Sequence, residues 1–443
     1  MEPRFRPRAF FLIAPGRALV YLSLTAMRNL ICIISLSTAL PLARASDWPC
    51  WRGPDGLGVT AESNLPVQWS KDQNVSWKTP LSGKGASSPI IWGDRVYLTM
   101  QTDDAALHVL VLDRRSGKAV WDREIGRGNL PANKLHNMAS PSPVSDGEHV
   151  WVVFGTGDIA CLDTDGKIVW QRNFVKDYGP IKTNHGYGSS PMIENGKLFV
   201  VCMHQGPSYV LALDARTGKN LWKKDRNLES EGEAQDSYST PIFLRVGGRT
   251  QLVMEGAESI NAYDPATGDE LWSRNRLKVP HPYGRTIAGP TAGEGVVIAV
   301  ASGFQNRGYT LALKGDGKGK LSDTDQLWKV EKFSADCPTP VIYQGNLFFI
   351  RDDGMASCVD LKTGEPKWQQ RLFSANVKVS PVAGDGKIYF LNGQGNCYVV
   401  KASNKLEVLS TNQLNEATLS TPAISRHQIF LRTDGNLYCV GKP

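Results

Sequence analysis

The stretch ALDARTGKNLW, residues 212–222, decides the fold because closely similar stretches return along the chain. The related stretches are VLDRRSGKAVW at 111–121, CLDTDGKIVW at 161–170, AYDPATGDELW at 262–272 and CVDLKTGEPKW at 358–368. Together with Trp328, their closing tryptophans lie 40 to 56 residues apart. A repeat of that length is typical of propellers and other repeat folds, so the 443 residues need no division into separate cores.

Each repeat has the same internal order. It opens on a Ser-Pro, Thr-Pro or Gly-Pro pair, at Ser88-Pro89, Ser142-Pro143, Ser190-Pro191, Thr240-Pro241, Gly289-Pro290, Thr339-Pro340, Ser380-Pro381 and Thr421-Pro422. An apolar run follows, such as VWVVF at 150–154, which predicts a strand buried on both faces. The third strand is the segment that includes LALD at 211–214, and the fourth is the tryptophan segment, with a Thr-Gly turn between them. Each repeat thus has four antiparallel strands. We therefore predict an all-β, eight-bladed propeller.

The two ends of the repeat array complement each other. The last repeat stops after its third strand, at residues 437–440. Residues 74–78 (NVSWK) resemble a tryptophan strand that has no strands before it. We expect this N-terminal strand to complete the eighth blade, which closes the ring and removes a free sheet edge. In the seventh repeat Leu409 is expected to stand in place of the tryptophan.

The first 45 residues are expected to be a signal peptide. An apolar stretch at 30–42 follows Arg28 and leads into the small-x-small pattern at 43–45. Met27 is the alternative start, and an uncleaved anchor that also uses residues 10–24 is the alternative interpretation. Residues 46–73 are then an N-terminal extension and residues 74–443 the propeller. The mature protein is expected to be periplasmic or secreted, without a membrane span.

Charge and cysteine content exclude several classes of protein. Residues 1–45 hold six arginines and one glutamate, so their removal lowers the net charge from +7 to +2. A near-neutral body gives no electrostatic reason to expect a nucleic-acid partner. Of the remaining cysteines, Cys161, Cys358 and Cys439 take the place of Ala212, where a thiol is a small buried apolar group. Cys50 and Cys337 stay open, and no cysteine spacing predicts a metal site.

The repeated A-x-D-x-x-T-G-x-x-x-W resembles the tryptophan-docking motif of PQQ-type (quinoprotein alcohol dehydrogenase-like) eight-bladed propellers, over nearly all of residues 69–443. The resemblance implies that each tryptophan packs between blades while Asp and Thr-Gly shape the turn. The tryptophans concerned are Trp77, Trp121, Trp170, Trp222, Trp272, Trp328 and Trp368. Trp48 lies outside the repeat, and its replacement by alanine is expected to cost much less stability than that of Trp222.

Polar residues precede most openings. If first strands line the channel, these residues and the loops between second and third strands share one mouth. The candidate ligand-binding residues there are His136, Asn137, His185, Tyr187, Asp236, Tyr238, Arg285, Asp336 and Lys378. Arg285 and Lys378 would hold an anion. Asp236 or Asp336 would act as a base, or as a Ca²⁺ ligand with Asn137 or Asn184. The alternative is a solvated rim whose charges pair with one another.

The resemblance covers enzymes and noncatalytic propellers alike, including the BamB-type outer-membrane assembly propeller. We predict an exported, monomeric, noncatalytic binding or assembly module of the cell envelope, without catalytic residues or cofactor. Its partner would be an envelope protein or a small polar ligand at the channel mouth. The first alternative is a dehydrogenase that oxidises an alcohol or sugar with PQQ and Ca²⁺. The second is a carbohydrate- or polymer-binding propeller, which would group Tyr187, Tyr238 and Tyr283 on one rim.

Overall fold

The computed structural model describes residues 47–279, 286–302, 308–331, 334–374 and 376–442, and the expected signal peptide lies outside them. The described chain forms eight sheets, each built on four antiparallel strands, and one sheet gains a short fifth strand. This confirms the predicted eight-bladed β-propeller. The helical elements among the described residues are short: α1 (Phe174–Tyr178) and 3-10 turns at Pro54–Gly56, Gly232–Gln235 and Asp323–Asp325.

The strands run through the blades in chain order. The N-terminal strand is β1 (Val75–Pro80), and blades 1 to 4 follow as β2 (Ile90–Trp92), β3 (Arg95–Gln101), β4 (Ala106–Asp113), β5 (Ala119–Arg127); β6 (Val144–Ser145), β7 (His149–Val153), β8 (Asp158–Asp163), β9 (Ile168–Asn173); β10 (Met192–Glu194), β11 (Lys197–Cys202), β12 (Tyr209–Asp214), β13 (Asn220–Asp225); and β14 (Ile242–Val246), β15 (Arg249–Gly256), β16 (Ser259–Tyr263), β17 (Glu270–Asn275). Blades 5 to 8 are β18 (Thr291–Gly293), β19 (Val296–Ala301), β20 (Tyr309–Lys314), β22 (Gln326–Glu331); β23 (Val341–Tyr343), β24 (Asn346–Ile350), β25 (Met355–Asp360), β26 (Pro366–Arg371); β27 (Val382–Gly384), β28 (Lys387–Leu391), β29 (Asn396–Lys401), β30 (Val408–Gln413); and β31 (Ala423–Ser425), β32 (Gln428–Arg432), β33 (Asn436–Val440) with β1. A fifth strand, β21 (Gly319–Lys320), lies parallel to β17 on the outer edge of blade 4.

The first strands lie innermost. For most neighbouring blades they contact one another around the ring, as β31, β2, β6 and β10 do in succession. Second strands such as β24 are buried along their whole length. Each blade is covered on both faces by its neighbours, which explains why these strands are continuously apolar rather than alternating.

The ring closes where the sequence predicts. Strand β1 pairs antiparallel with β33, and Trp77 stands opposite Cys439. Blade 8 is therefore built from both ends of the repeat array. Because β33 gains a partner, the eighth sheet has the same four strands as the others and leaves its third strand without a free edge.

The repeated tryptophans join each blade to the next one. Their indole N–H groups donate to the backbone carbonyl of the residue that follows the repeated aspartate in the next blade. The pairs are Trp77 to Arg114 (2.8 Å), Trp121 to Thr164 (2.9 Å), Trp170 to Ala215 (2.8 Å), Trp222 to Pro265 (3.3 Å) and Trp328 to Leu361 (2.8 Å). Trp368 donates in the same way to the carbonyl of Ser403 (3.0 Å). Trp272 instead donates to Gln251, whose amide bonds Gly315 of blade 5.

The glycine of the Thr-Gly turn is needed for this docking. Gly218 has a φ of +68°, and a Cβ built there would lie 2.7 Å from the indole of Trp170. The side chain of Asp214 accepts the backbone N–H of Thr217 at 2.8 Å and so shapes the same turn. The turn residues are thus structural, as the resemblance implies.

The prediction for Leu409 is wrong by one residue. In blade 3, Trp222 pairs with Ala212 and the preceding Leu221 is skipped by a bulge. In blade 7, Ser410 pairs with Val399 and Leu409 is the residue skipped. The position of the tryptophan is therefore held by a serine.

Trp69 supplies the missing indole from elsewhere in the chain. In blade 3, Trp222 packs on Phe199 at 5.9 Å between ring centroids. In blade 7, the equivalent ring is Tyr389, and Trp69 lies 6.4 Å from it. Trp69 is itself buried, and its backbone N–H donates to Asn412 at 2.8 Å.

Residues 47–70 form a strap across the face that carries the turns between first and second strands. The backbone of Trp48 exchanges two 2.8 Å hydrogen bonds with Ile91 of blade 1. Thr60 donates to Ala383 of blade 7 at 2.9 Å, and Arg52 donates to Pro340 of blade 6 at 2.6 Å. Trp48 is fully buried, whereas Trp222 is only half-buried. The burial of Trp48 therefore argues against the expectation that its replacement by alanine costs much less stability than that of Trp222.

Candidate functional site

The blade openings place a belt of hydroxyl groups around the channel. Five of them accept the backbone N–H of the preceding blade: Ser142 from Ser88 (2.9 Å), Ser190 from Ser142 (3.0 Å), Thr240 from Ser190 (3.0 Å), Thr339 from Gly289 (2.8 Å) and Ser380 from Thr339 (2.9 Å). In the sequence these residues were recognisable only as strand openings. Their recurrence as Ser or Thr at every opening except Gly289 was the available signal.

A chamber of about 170 Å³ lies inside this belt. Its lower tier is the belt, with Ser88 and Thr421 included, and Trp51 of the strap contributes to its wall. Its upper tier consists of the residues two positions before each opening: Ala86, Ser140, Gly188, Tyr238, Ile287, Cys337, Lys378 and Leu419. Residues two apart on extended backbone point to the same side, which explains why both tiers face the channel. The upper tier differs from blade to blade and sets the chemistry of the chamber.

A second cavity, of about 410 Å³, lies on the mouth side and is continuous with the chamber. Both are lined by Ala86, Leu135, His136, Lys378 and Leu419. Lys84, Lys134, Asn137 and Asp434 also line this outer cavity. The two cavities form a funnel whose far end meets the strap, so a ligand would enter from the mouth.

His136 and His185, two of the predicted ligand-binding residues, lie close together at the rim of the funnel. Tyr238 lies between them, with its ring centroid 6.1 Å from His136 and 5.7 Å from His185. Burial, and then the neighbouring His185, lower the pKa of His136 to about 4, so that its imidazole is neutral at pH 7. His185 pairs with Glu233 at 2.9 Å. The neutral imidazole of His136 can therefore pack against a ligand and form a hydrogen bond with it.

Asp236 lies beneath Tyr238. One of its carboxylate oxygens accepts the Tyr238 hydroxyl and the backbone N–H of Asn184, both at 2.9 Å, and the side-chain amide of Gln205 at 3.2 Å. Burial raises the pKa of Asp236 above its ordinary value. Its side chain is fully buried, so it supports the rim and does not line the chamber.

Asp336 and Lys378 belong to one polar cluster in the wall. The Lys378 ammonium forms an ion pair with Asp352 and lies 3.5 Å from Cys337 Sγ. Asp352 also accepts the backbone N–H groups of Asp336 (3.2 Å) and Cys337 (3.0 Å). Burial, and then Asp352, raise the pKa of the Cys337 thiol well above its ordinary value. The potential ligand atoms of Asp336, Cys337 and Asp352 lie within 4.8 Å of one another, but Lys378 already supplies the positive charge there.

Of the predicted residues that the structure describes, His136, Tyr238 and Lys378 line the chamber, whereas Asn137, His185, Tyr187, Asp236 and Asp336 do not. Tyr187 is buried in the core, where its hydroxyl donates to Val201 at 2.9 Å. The Asn137 side chain accepts the backbone N–H of Ala139 at 3.0 Å and faces the outer cavity only. Arg285 lies outside the described residues, as does Tyr283. The predicted rim of three tyrosines is therefore contradicted at Tyr187.

The chamber alone is small for the tricyclic quinone PQQ. Pockets for small-molecule ligands generally measure roughly 300–1,000 Å³, whereas the chamber measures about 170 Å³ and the outer cavity about 410 Å³. The seven cysteines among the described residues are free thiols, and Cys337 stands alone among them in the chamber wall. We therefore derive no chemical step through a quinone, and the expectation of no cofactor stays a prediction.

Comparisons with known proteins agree with the propeller fold. A family model described as outer membrane protein assembly factor BamB matches residues 105–370 and 284–442. The BamB of Moranella endobia (strain PCIT) is 27% identical over 233 residues, which cover 49% of this chain and 56% of that relative's length. Within the described residues, no helix has the length and apolar character needed to cross a membrane.

Two solved structures share the architecture. BamB from Moraxella catarrhalis superimposes with a TM-score of 0.62 at 14% identity, over 83% of this chain and 97% of that chain. Quinohemoprotein alcohol dehydrogenase from Comamonas testosteroni gives a TM-score of 0.65 at 13% identity, over 90% of this chain and 82% of that chain. At these identities the likeness extends to the fold and leaves activity to be argued from the site.

Proposed function

Because the chain belongs to the family of the outer membrane protein assembly factor BamB, we propose that it is a noncatalytic binding and assembly module of the cell envelope. The observation that carries the proposal is the mouth: the strap crosses the opposite face, whereas the loop with the exposed Leu130 and Leu135 lies at the mouth, open to a partner. The inner chamber of about 170 Å³ is by itself small for a bulky redox cofactor.

The loop between β5 and β6 is the proposed contact surface for an outer-membrane assembly partner. Leu135 is 44% exposed at the mouth, and Leu130 of the same loop is 39% exposed. Exposed apolar side chains grouped on one loop are typical of protein contacts, because burial of the apolar groups stabilises the complex. We further propose export through residues 1–45 and a periplasmic or secreted, monomeric mature protein.

Deletion of the gene in its own host tests this role. We expect the amount of folded outer-membrane protein to fall and the wild-type gene to restore it. The variant Leu135→Asp should restore it poorly, because a carboxylate would be buried at the contact. Leu221→Asp is the matched control, since Leu221 is 48% exposed on the outer strand β13, away from the mouth. Unchanged outer-membrane protein in the deletion strain would contradict the proposal.

A quinoprotein dehydrogenase is the second candidate, favoured by the fold it shares with the Comamonas testosteroni enzyme. A direct titration with PQQ distinguishes the two candidates. A carbohydrate- or polymer-binding role has less support, since Tyr187 is buried in the core and Tyr238 is 8% exposed.

A further inference from the structure

Each blade ends in an outer strand, and two of these outer strands are covered by a further extended segment. In blade 4, β21 lies parallel to β17, with Gly319 beside Trp272. In blade 7, Ser70 of the strap forms a parallel bridge with Gln413 of β30. The outer side of a blade can therefore accept one more extended segment by backbone pairing. Within the described residues, β9 of blade 2 pairs with β8 and has no strand or bridge on its outer side.

Covered and open outer strands differ in the exposure of one apolar residue. A bulge leaves the residue before the tryptophan position unpaired, and this residue is half-buried in the two covered strands, as Leu271 and Leu409. In open strands it is exposed, at 45% for Val169 of β9 and 48% for Leu221 of β13. Val169 therefore presents apolar surface at a position that is partly buried in blades 4 and 7.

Charge beside the tryptophan position distinguishes β9 from the other open strands. Charged side chains, lysine above all, and proline protect open sheet edges from pairing with another chain. The other open strands have such residues directly after or before the tryptophan: Lys78, Asp122, Lys223, Lys329, Pro366 and Lys367. After this position the covered strands have Ser273 and Thr411, and β9 has Gln171. An arginine follows in both β9 and β17, and each arginine pairs with an aspartate. At this position β9 is thus an open strand with the composition of a covered one.

We infer that the outer side of β9 binds an extended, uncharged segment of a partner protein, which adds a strand to blade 2. Backbone hydrogen bonds supply the affinity of such a contact, and Val169 favours an apolar side chain in the segment. Lys167 and Lys176 are exposed at the two ends of β9 and take part in none of the described ion pairs, and the exposed Asp165 offsets only one of them. Acidic residues at the ends of the segment therefore meet opposite charge. This surface is separate from the β5–β6 loop, and the inference does not rest on the role proposed for that loop.

Fluorescence anisotropy of labelled peptides with the mature protein tests the inference. The probe is a short peptide that alternates valine and threonine between terminal aspartates. Its matched control has the same side chains but N-methyl groups on its backbone amides, which removes the donors for sheet pairing. We expect saturable binding of the probe, and binding of the N-methylated peptide weaker by about tenfold or more, because backbone hydrogen bonds carry the affinity in strand addition.

Val169→Lys is the decisive variant, because it gives β9 the kind of residue that protects open edges. It should weaken binding of the probe by about tenfold, with an unchanged melting temperature because Val169 is exposed. A lysine attracts the aspartates of the probe, so charge repulsion would not explain the loss. Leu221→Lys is the matched control at the equivalent position of β13 and should keep full affinity. Absence of saturable binding, equal binding of the N-methylated peptide, full affinity in Val169→Lys, or equal loss in both variants would overturn the inference.

Discussion

At the scale of single residues, the serine or threonine of a blade opening has two roles. Its oxygen holds the backbone of the preceding blade, as Ser190 holds that of Ser142 at 3.0 Å. Its hydrogen remains available to the channel. The residue two positions earlier has no such backbone role in the repeat, so it can be alanine at 86, tyrosine at 238 or lysine at 378. Stability and ligand chemistry are thereby assigned to separate tiers of the same strand.

Trp48 gives a prediction at this scale. Its side chain is fully buried in the cluster that joins blades 1, 7 and 8. Trp48→Ala should lower the free energy of unfolding by about 3–5 kcal/mol, as expected for loss of a buried indole. Trp222 is half-buried, so Trp222→Ala should cost no more than Trp48→Ala. Urea unfolding of both variants measures the difference, with the exposed Leu221→Ala as a control expected within about 0.5 kcal/mol of wild type. A Trp48 variant as stable as that control would show that the strap contributes little.

At the scale of elements, the repeat made the strands, the turns and the closing strand β1 predictable. Each blade repeats the same hydrogen-bonded hairpins, so one well-marked copy identifies the others. The substitution in blade 7 was misplaced because a bulge shifts the register and brings Ser410, not Leu409, opposite Val399. The strap was not predictable from the repeat. Its contacts, such as Trp69 on Tyr389, join residues far apart in sequence and occur once.

Stepwise truncation separates the strap from the closing strand. A chain that begins at residue 71 loses Trp48 and Trp69 but keeps β1, and we expect it to remain monomeric with a lowered melting temperature. A chain that begins at residue 81 also loses Trp77 and leaves β33 unpaired, and we expect it to aggregate. Light scattering and thermal melts compare both with the chain that begins at residue 47. A monomeric, undiminished 81–443 fragment would mean that β1 does not hold the ring closed.

At the scale of the whole molecule, the position of the site at the channel mouth could be predicted from the sequence, but several of the residues that line its wall could not. The sequence indicated that residues before the openings converge at one mouth, and His136, Tyr238 and Lys378 do so. Tyr187 was misassigned because it lies three residues before Ser190, whereas Tyr238 lies two before Thr240. One residue reverses the side of an extended chain. Cys337 was overlooked for the same reason. It lies two residues before Thr339 and lines the chamber, whereas the predicted Asp336 lies three residues before Thr339.

Titration of PQQ tests the molecule as a possible enzyme. With millimolar Ca²⁺ present, we expect calorimetry to detect no saturable PQQ binding, because the cysteines of the described residues are free thiols and the inner chamber of about 170 Å³ lies below the usual size of ligand pockets, roughly 300–1,000 Å³. Dye reduction with alcohols and sugars should likewise stay at the level of buffer. The variant Lys378→Met serves as the control for nonspecific attraction of the quinone carboxylates. Stoichiometric binding at micromolar concentration or below would establish the dehydrogenase instead.

The pairing of β1 with β33 also governs the order of events when the chain is made. Synthesis delivers β1 first and β33 last, with the other seven blades between them. Contacts at such sequence separation carry a large loop-closure cost and form late in folding. Until they form, Trp77 lacks the sheet of blade 8, although its docking carbonyl at Arg114 already lies in blade 1. The nascent propeller is thus an open crescent with one unpaired strand at each tip. It needs protection from self-association until its final residues arrive.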